Sequence, residues 1–73
     1  MTKYYVGYKQ GNNEYVYVAG MDNSNVRVST TLEGGIGFTD VKLAEAFNSI
    51  VGTLVANQDY QVLKVTVDIK EVR

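Results

Sequence analysis

Apolar and polar positions alternate with a period of two at the start of the chain. From Thr2 to Lys9, the residues Tyr4, Val6 and Tyr8 share one face, while Lys3, Gly7 and Lys9 make the other mostly polar. That period predicts a half-buried strand. Gly11, Asn12 and Asn13 tolerate the positive φ that hairpin loops require, so the chain is expected to reverse there. A second strand is predicted from Glu14 to Ala19, with Tyr15, Tyr17 and Ala19 on one face and Val16 and Val18 on the other. Neither face is polar, which predicts a central strand covered on both sides. Gly20 to Asn25 reads as a turn, because Asp22, Asn23, Ser24 and Asn25 bond readily to their own backbone. A shorter third strand is predicted from Val26 to Thr31, with Val26 and Val28 inward and Arg27 and Ser29 outward.

The period then changes to that of a helix. Thr39 is placed to cap it, with Asp40 in the first turn where the helix dipole favours negative charge. Phe38 and Leu43 have the spacing of a hydrophobic staple. Leu43, Ala46, Phe47, Ile50, Val51 and Leu54 form one apolar stripe, with Lys42, Glu45, Asn48 and Ser49 largely opposite. Gly52 offers a left-handed end to this helix; alternatively it continues to Ala56 with Asn57 closing it, the reading that Leu54 and Val55 favour by continuing the stripe. From Tyr60 to Val72 the period returns to two. Leu63, Val65, Val67 and Ile69 share a face, opposite Lys64, Thr66, Asp68 and Lys70.

The order β-β-β-α-β predicts a single α+β domain over residues 1–73, with one helix packed on one face of an antiparallel sheet of three to four strands. Its expected buried set is Tyr4, Val6, Tyr8, Val28, Phe47, Ile50, Leu63, Val65 and Val67.

Composition narrows the chemistry. The 73 residues include no cysteine and no histidine, which removes disulfides, thiolate zinc sites and imidazole ligands. Seven basic and eight acidic residues are scattered singly for a net charge of −1, so a concentrated polyanion-binding surface is not expected and nucleic acid is a poor fit as a direct partner. No apolar run approaches a membrane span and no signal-peptide segment opens the chain, so a soluble, cytoplasmic protein without membrane contact is expected. Catalysis and cofactors are not expected either. Asp40 and Glu45 are five apart and do not stack on one helix face, and Asp68 sits between Lys64 and Lys70 in a row that reads as a solvated edge.

Two features are candidate sites. Gly34-Gly35-Ile36-Gly37 opens onto a helix start, where free backbone N–H groups can bind phosphate. A phosphate-binding loop ends its glycine run in a lysine and a hydroxyl, and here Phe38-Thr39 stand instead. A flexible connection between strand and helix is the preferred reading, with a ligand-binding module as the other. The tyrosines are the second feature. Tyr5 points away from Tyr4 and Tyr8, onto the sheet face that the helix leaves uncovered, and register decides whether Tyr15 and Tyr17 or Val16 and Val18 join it there. The candidate interface is therefore Tyr5, Tyr15, Val16, Tyr17 and Val18, with Val62 and Val72 as further neighbours. A protein acting by protein–protein contact, as a homodimer or docked on a larger partner, is the leading expectation. A small regulator or inhibitor of a nucleic-acid machine is the alternative.

Tyr4-Tyr5-Val6-Gly7-Tyr8 with Tyr15-Val16-Tyr17-Val18, the helix start carried by Phe38, Asp40 and Ala44, and the closing apolar strand make a pattern that resembles short proteins of phages and prophages of Gram-positive bacteria. The resemblance implies a host-takeover, regulatory or accessory role played by binding, and it carries over no functional residue.

Overall fold

At Gly11 the backbone turns with φ at 63°, a conformation that side chains disfavour. This turn joins β1 (Thr2–Gln10) to β2 (Glu14–Asp22) in a hairpin. They are followed by β3 (Asn25–Ser29), α1 (Val41–Leu54) and β4 (Gln61–Thr66) in a computed structural model that describes residues 1–12, 14–22, 25–55 and 58–66. All pairings are antiparallel and the sheet order is β3-β2-β1-β4. The α+β class and the β-β-β-α-β order follow the sequence pattern. Val67, Asp68, Ile69, Lys70 and Val72 of the expected last strand lie outside the described residues, as do Ala56 and Asn57 at the expected long helix end.

Register assigns the two faces. Tyr8 pairs with Val16 and Lys9 with Tyr15, and directly opposed residues in an antiparallel ladder point to the same side. The face of Tyr4, Val6 and Tyr8 therefore takes Val16 and Val18, and the face of Tyr5 takes Tyr15 and Tyr17. On the other edge of β1, Val6 pairs with Val62 and Tyr5 with Leu63. β4 is thus the reverse of expectation: Val62 joins the helix side, while Leu63 and Val65 lie on the opposite face. Alternation groups residues by face, but only pairing says which face is which, because a one-residue slip exchanges them.

β1 and β2 pair only between Gly7–Gln10 and Glu14–Tyr17. Further along, the register of β2 against β3 shifts between Val18 and Gly20, and such a bulge adds local twist. The gap beside the first half of β1 is filled by the segment before the helix. The Ile36 N–H donates to the Val18 carbonyl at 3.0 Å, and Tyr4 and Phe38 exchange two backbone bonds of 2.7 and 2.8 Å. A wedge of three residues thereby satisfies backbone groups that the fork would leave open.

Asp40, not Thr39, is the N-cap. It is extended at φ −109°, and its Oδ1 accepts the Lys42 N–H at 2.9 Å. The expected staple of Phe38 on Leu43 is not formed: Phe38 packs instead on Phe47, ring centroids 5.5 Å apart, and Leu43 is exposed. The helix runs through Gly52 and ends at Leu54, where the Val55 N–H still reaches the Val51 carbonyl at 2.9 Å. Ala44 and Val51 are fully buried, and Phe47 and Asn48 are half-buried. The contact line is thus rotated by about one residue from the stripe expected. Ala44 and Val51 are the buried positions, Val51 packing with Val6 and Val18, and this leaves Leu43, Ile50 and Leu54 on a flank. The core is small: Val6, Val18 and Val51, with Met21, Val26, Phe47 and Tyr60 packed against it. Val28 shares that side but is exposed, because α1 lies over β1 and β4 rather than β3.

Candidate functional site

The face opposite the helix has a partial cover that the sequence pattern did not reveal. After β3 the chain folds back across it. The Ser29 Oγ accepts the Thr31 N–H at 3.1 Å, the Thr31 Oγ1 accepts the Gly34 N–H at 3.3 Å, and the Leu32 carbonyl accepts the Gly35 N–H at 3.1 Å. This bonded loop lies flat on two tyrosines. A Cβ built on Gly35 would stand 2.8 Å from Tyr17 Cβ and 3.3 Å from Tyr5 Cδ2; one on Gly37 would stand 2.9 Å from Tyr5 Oη and 3.0 Å from Lys3 Cδ. Ordinary carbon contacts are about 3.5–4.0 Å. The glycines therefore serve close approach, which corrects the reading of this run as a flexible connection.

Of the five candidate interface residues, Tyr5 is only 7% exposed, beneath the loop, and Val16 and Val18 are buried on the helix side. None of the three lies on an open surface. Tyr15 and Tyr17 do share the face opposite the helix, Tyr15 at 42% exposure and Tyr17 half-buried. Tyr17 is held against Tyr5 with ring centroids 5.4 Å apart at 59°, a tilted aromatic pair. Across β1 from the two tyrosines stand Leu63 and Val65. Between them Gly7 carries no side chain; a Cβ there would collide with the Val16 carbonyl. The result is a shallow hollow of about 180 Å³ bounded by Tyr15, Tyr17, Leu63, Lys64 and Val65. A second hollow, bounded by Glu14, Tyr15, Tyr17 and Thr30, lies against the same two rings. The tyrosines form a ridge with a depression on each side.

Charge around this ridge is mixed. Strand alternation puts Lys3, Lys9 and Arg27 on this face together with Asp22, and the loop adds Glu33. On the helix side Tyr8 and Tyr60 meet edge to face at 5.3 Å and 84°. Burial pushes the Tyr60 phenol above its ordinary value, and the neighbouring Tyr8 adds to the shift. Among the described residues no three His, Cys, Asp or Glu side chains are grouped to hold a metal, and no helix is long and apolar enough to cross a membrane.

The sequence pattern missed one surface outright. Leu43, Ile50 and Leu54, all on the expected apolar stripe and Ile50 in the expected buried set, are 57%, 50% and 44% exposed. With the half-buried Phe47 they recur at 43, 47, 50 and 54, the spacing of a heptad seam on one helix flank. Only the packing distances of the sheet could have revealed this, since the hydrophobic stripe looks the same from either flank. Comparison of the chain with models of known protein families, with curated proteins and with solved structures returned no match.

Proposed function

We propose that this protein acts by protein–protein contact, with no chemistry of its own, through the tyrosine ridge on the face opposite the helix. The observation that carries the reading is Tyr15, a large aromatic 42% exposed on an inner strand beside Tyr17, with a hollow bordered by Leu63 and Val65 next to it. Tyrosine supplies wide contact area with little side-chain entropy to lose, which is why it dominates interface centres. The surrounding charges alternate in sign, as at the polar rim of a protein interface, rather than massing as a polyanion would need. A binding role of this kind accords with the accessory or host-regulating function that the resemblance to phage and prophage proteins implies.

A second surface favours self-association. Three half-exposed aliphatic side chains on one flank of α1 suit an antiparallel helix pair between two copies, with Ala46 and Thr53 small enough for close approach. The two surfaces are separable by experiment. Pull-down from the native host with the wild-type chain and with Tyr15→Ser tests the ridge: the wild type is expected to retain a partner that the variant loses, and equal recovery would reject it. Sedimentation equilibrium tests the flank. The wild type is expected to dimerise with a Kd below about 100 μM and Ile50→Lys to be monomeric. A monomeric wild type at that concentration would remove the homodimer.

A further inference from the structure

Beside the ridge, the loop and the first half of β1 border an open cavity of about 390 Å³, within the size range of small-molecule pockets. Met1, Leu32, Val65 and Tyr5 contribute its apolar lining, and Lys3, Glu33 and Tyr5 bring polar side-chain groups to it. Tyr5 is more than nine-tenths buried as a residue, and its hydroxyl makes no hydrogen bond with any described residue and is not itself shielded from solvent. The hydroxyl lies against Gly37, which borders the same cavity, so it is a free donor at the cavity's edge. The stem of Lys3 lies against the same glycine, and its ammonium has no ion pair among the described residues. Lys3 is half-buried, whereas Glu33 is exposed and its carboxylate stays hydrated. Two donors, one of them charged, thus converge on an apolar hollow, and the group that satisfies both is an oxygen anion.

We propose that this cavity binds a small molecule joining an apolar body to a carboxylate, with the Tyr5 hydroxyl and the Lys3 ammonium as its donors. The carboxylate accepts from both, while the aryl or branched alkyl body covers Leu32 and Val65. Gly35 and Gly37 belong to the site because a Cβ at Gly37 would press on the Tyr5 hydroxyl and obstruct the donor. The proposal is independent of the partner contact at Tyr15.

The test is amide-shift titration of the labelled full chain with 3-phenylpropanoate, its primary amide and 3-phenylpropylamine, each to about 10 mM, beyond the weakest affinities of interest. The carboxylate is expected to move the amides of Lys3, Tyr5, Gly35, Gly37 and Val65 saturably, with Tyr15 unmoved. Tyr5→Phe and Lys3→Met should each weaken it about tenfold, the worth of one charge-assisted hydrogen bond, with spectral dispersion retained. Lys3→Met, at a half-exposed position, carries the test even where Tyr5→Phe disturbs the loop. Absence of saturable shifts, equal binding of the amide or the amine, or unchanged affinity in both variants would overturn the proposal.

Discussion

Replacing Gly35 by alanine adds one methyl group at the place where the loop lies closest to the sheet. The new Cβ would stand 2.8 Å from Tyr17 Cβ, 3.3 Å from Tyr5 Cδ2 and 3.5 Å from Tyr5 Cε2. The nearest of these is a stiff backbone-proximal carbon, and it sits about 0.7 Å or more inside a normal carbon contact. Neither side can yield easily. The loop is held at Gly35 by the Leu32 carbonyl and at Ile36 by the Val18 carbonyl, and Tyr17 is paired on both edges of β2. Overpacking of this sort costs about 1–3 kcal/mol. The substitution also restricts the unfolded chain, which returns about 0.4–1 kcal/mol. A net destabilisation of about 1–2 kcal/mol is expected. In urea, with a slope of about 1 kcal/mol/M for so small a domain, the midpoint should fall by about 1–2 M. Gly52→Ala is the internal control: it lies within α1 with nothing within 4 Å of the added carbon, and should raise stability by about 0.5–1 kcal/mol. Circular dichroism or tyrosine fluorescence reads both. If Gly35→Ala matches or exceeds the wild type, the loop does not rest on Tyr17, and the cover over Tyr5 and the cavity beside it go with it.

Three further outcomes follow from single side chains. Asn48 is half-buried on α1, and its Oδ1 is shielded from solvent without a partner among the described residues; Asn48→Ala should therefore stabilise by about 1 kcal/mol in the same urea assay, since an orphaned acceptor costs about 1–3 kcal/mol and alanine is the better helix former. Phe47→Ala removes a ring packed on the Val6-Val18-Val51 cluster and on Phe38; because that ring is only half-buried, a loss of about 2–3 kcal/mol is expected, below the full cost of a buried phenylalanine, and an unmoved midpoint would place the helix elsewhere. The Tyr60 phenol has its pKa raised by folding from an ordinary value of 10.0, so its contribution is fully present below pH 10 and is lost as pH rises through the higher folded value; urea midpoints between pH 8 and 11.5 should decline less steeply in Tyr60→Phe than in the wild type, and parallel declines would show that Tyr60 is not what titrates.

Period-two alternation made β1, β2 and β3 legible as strands and grouped the residues of each by face, because each pairs with a neighbour through a short connection whose turn residues are visible, Gly11-Asn12 above all; which face of β2 joins Tyr5 was left to register. β4 was legible as a strand but inverted. It returns to β1 only after the helix, and nothing local to Leu63 or Val62 tells which of them meets Val6. The helix was legible to within a residue or two at each end, yet its rotation was not: Leu43 and Ala44 are equally acceptable on an apolar stripe, and nothing local to either tells which of them meets the sheet when Val51 packs with Val6 and Val18. The candidate site suffered most. Tyr5 does point away from the helix, as alternation requires, but whether that means exposure depends on where Gly34-Gly35-Ile36-Gly37 lies. A glycine run has the same look whether it spans solvent or presses on two rings.

The open apolar surfaces follow from geometry before they say anything of function. A helix is about 10 Å across, and strands lie about 4.8 Å apart, so one helix shelters roughly two of four strands. α1 takes β1 and β4, and the β3 side is left thin. On the other face, a loop only a few residues wide shelters Tyr5 and stops short of Tyr15. Geometry explains why these places are open; it does not explain what occupies them. Lys42, Glu45 and Ser49 show that this helix accepts polar residues wherever it meets water. Nothing in the packing of α1 requires Leu43, Ile50 or Leu54 at positions about half exposed, and nothing in β2 requires an aromatic at Tyr15 rather than threonine. Two clusters of large apolar side chains, each at a place where the fold would tolerate polar ones, are what a chain needs if its work is done by contact, and they are the residues on which that reading stands or falls.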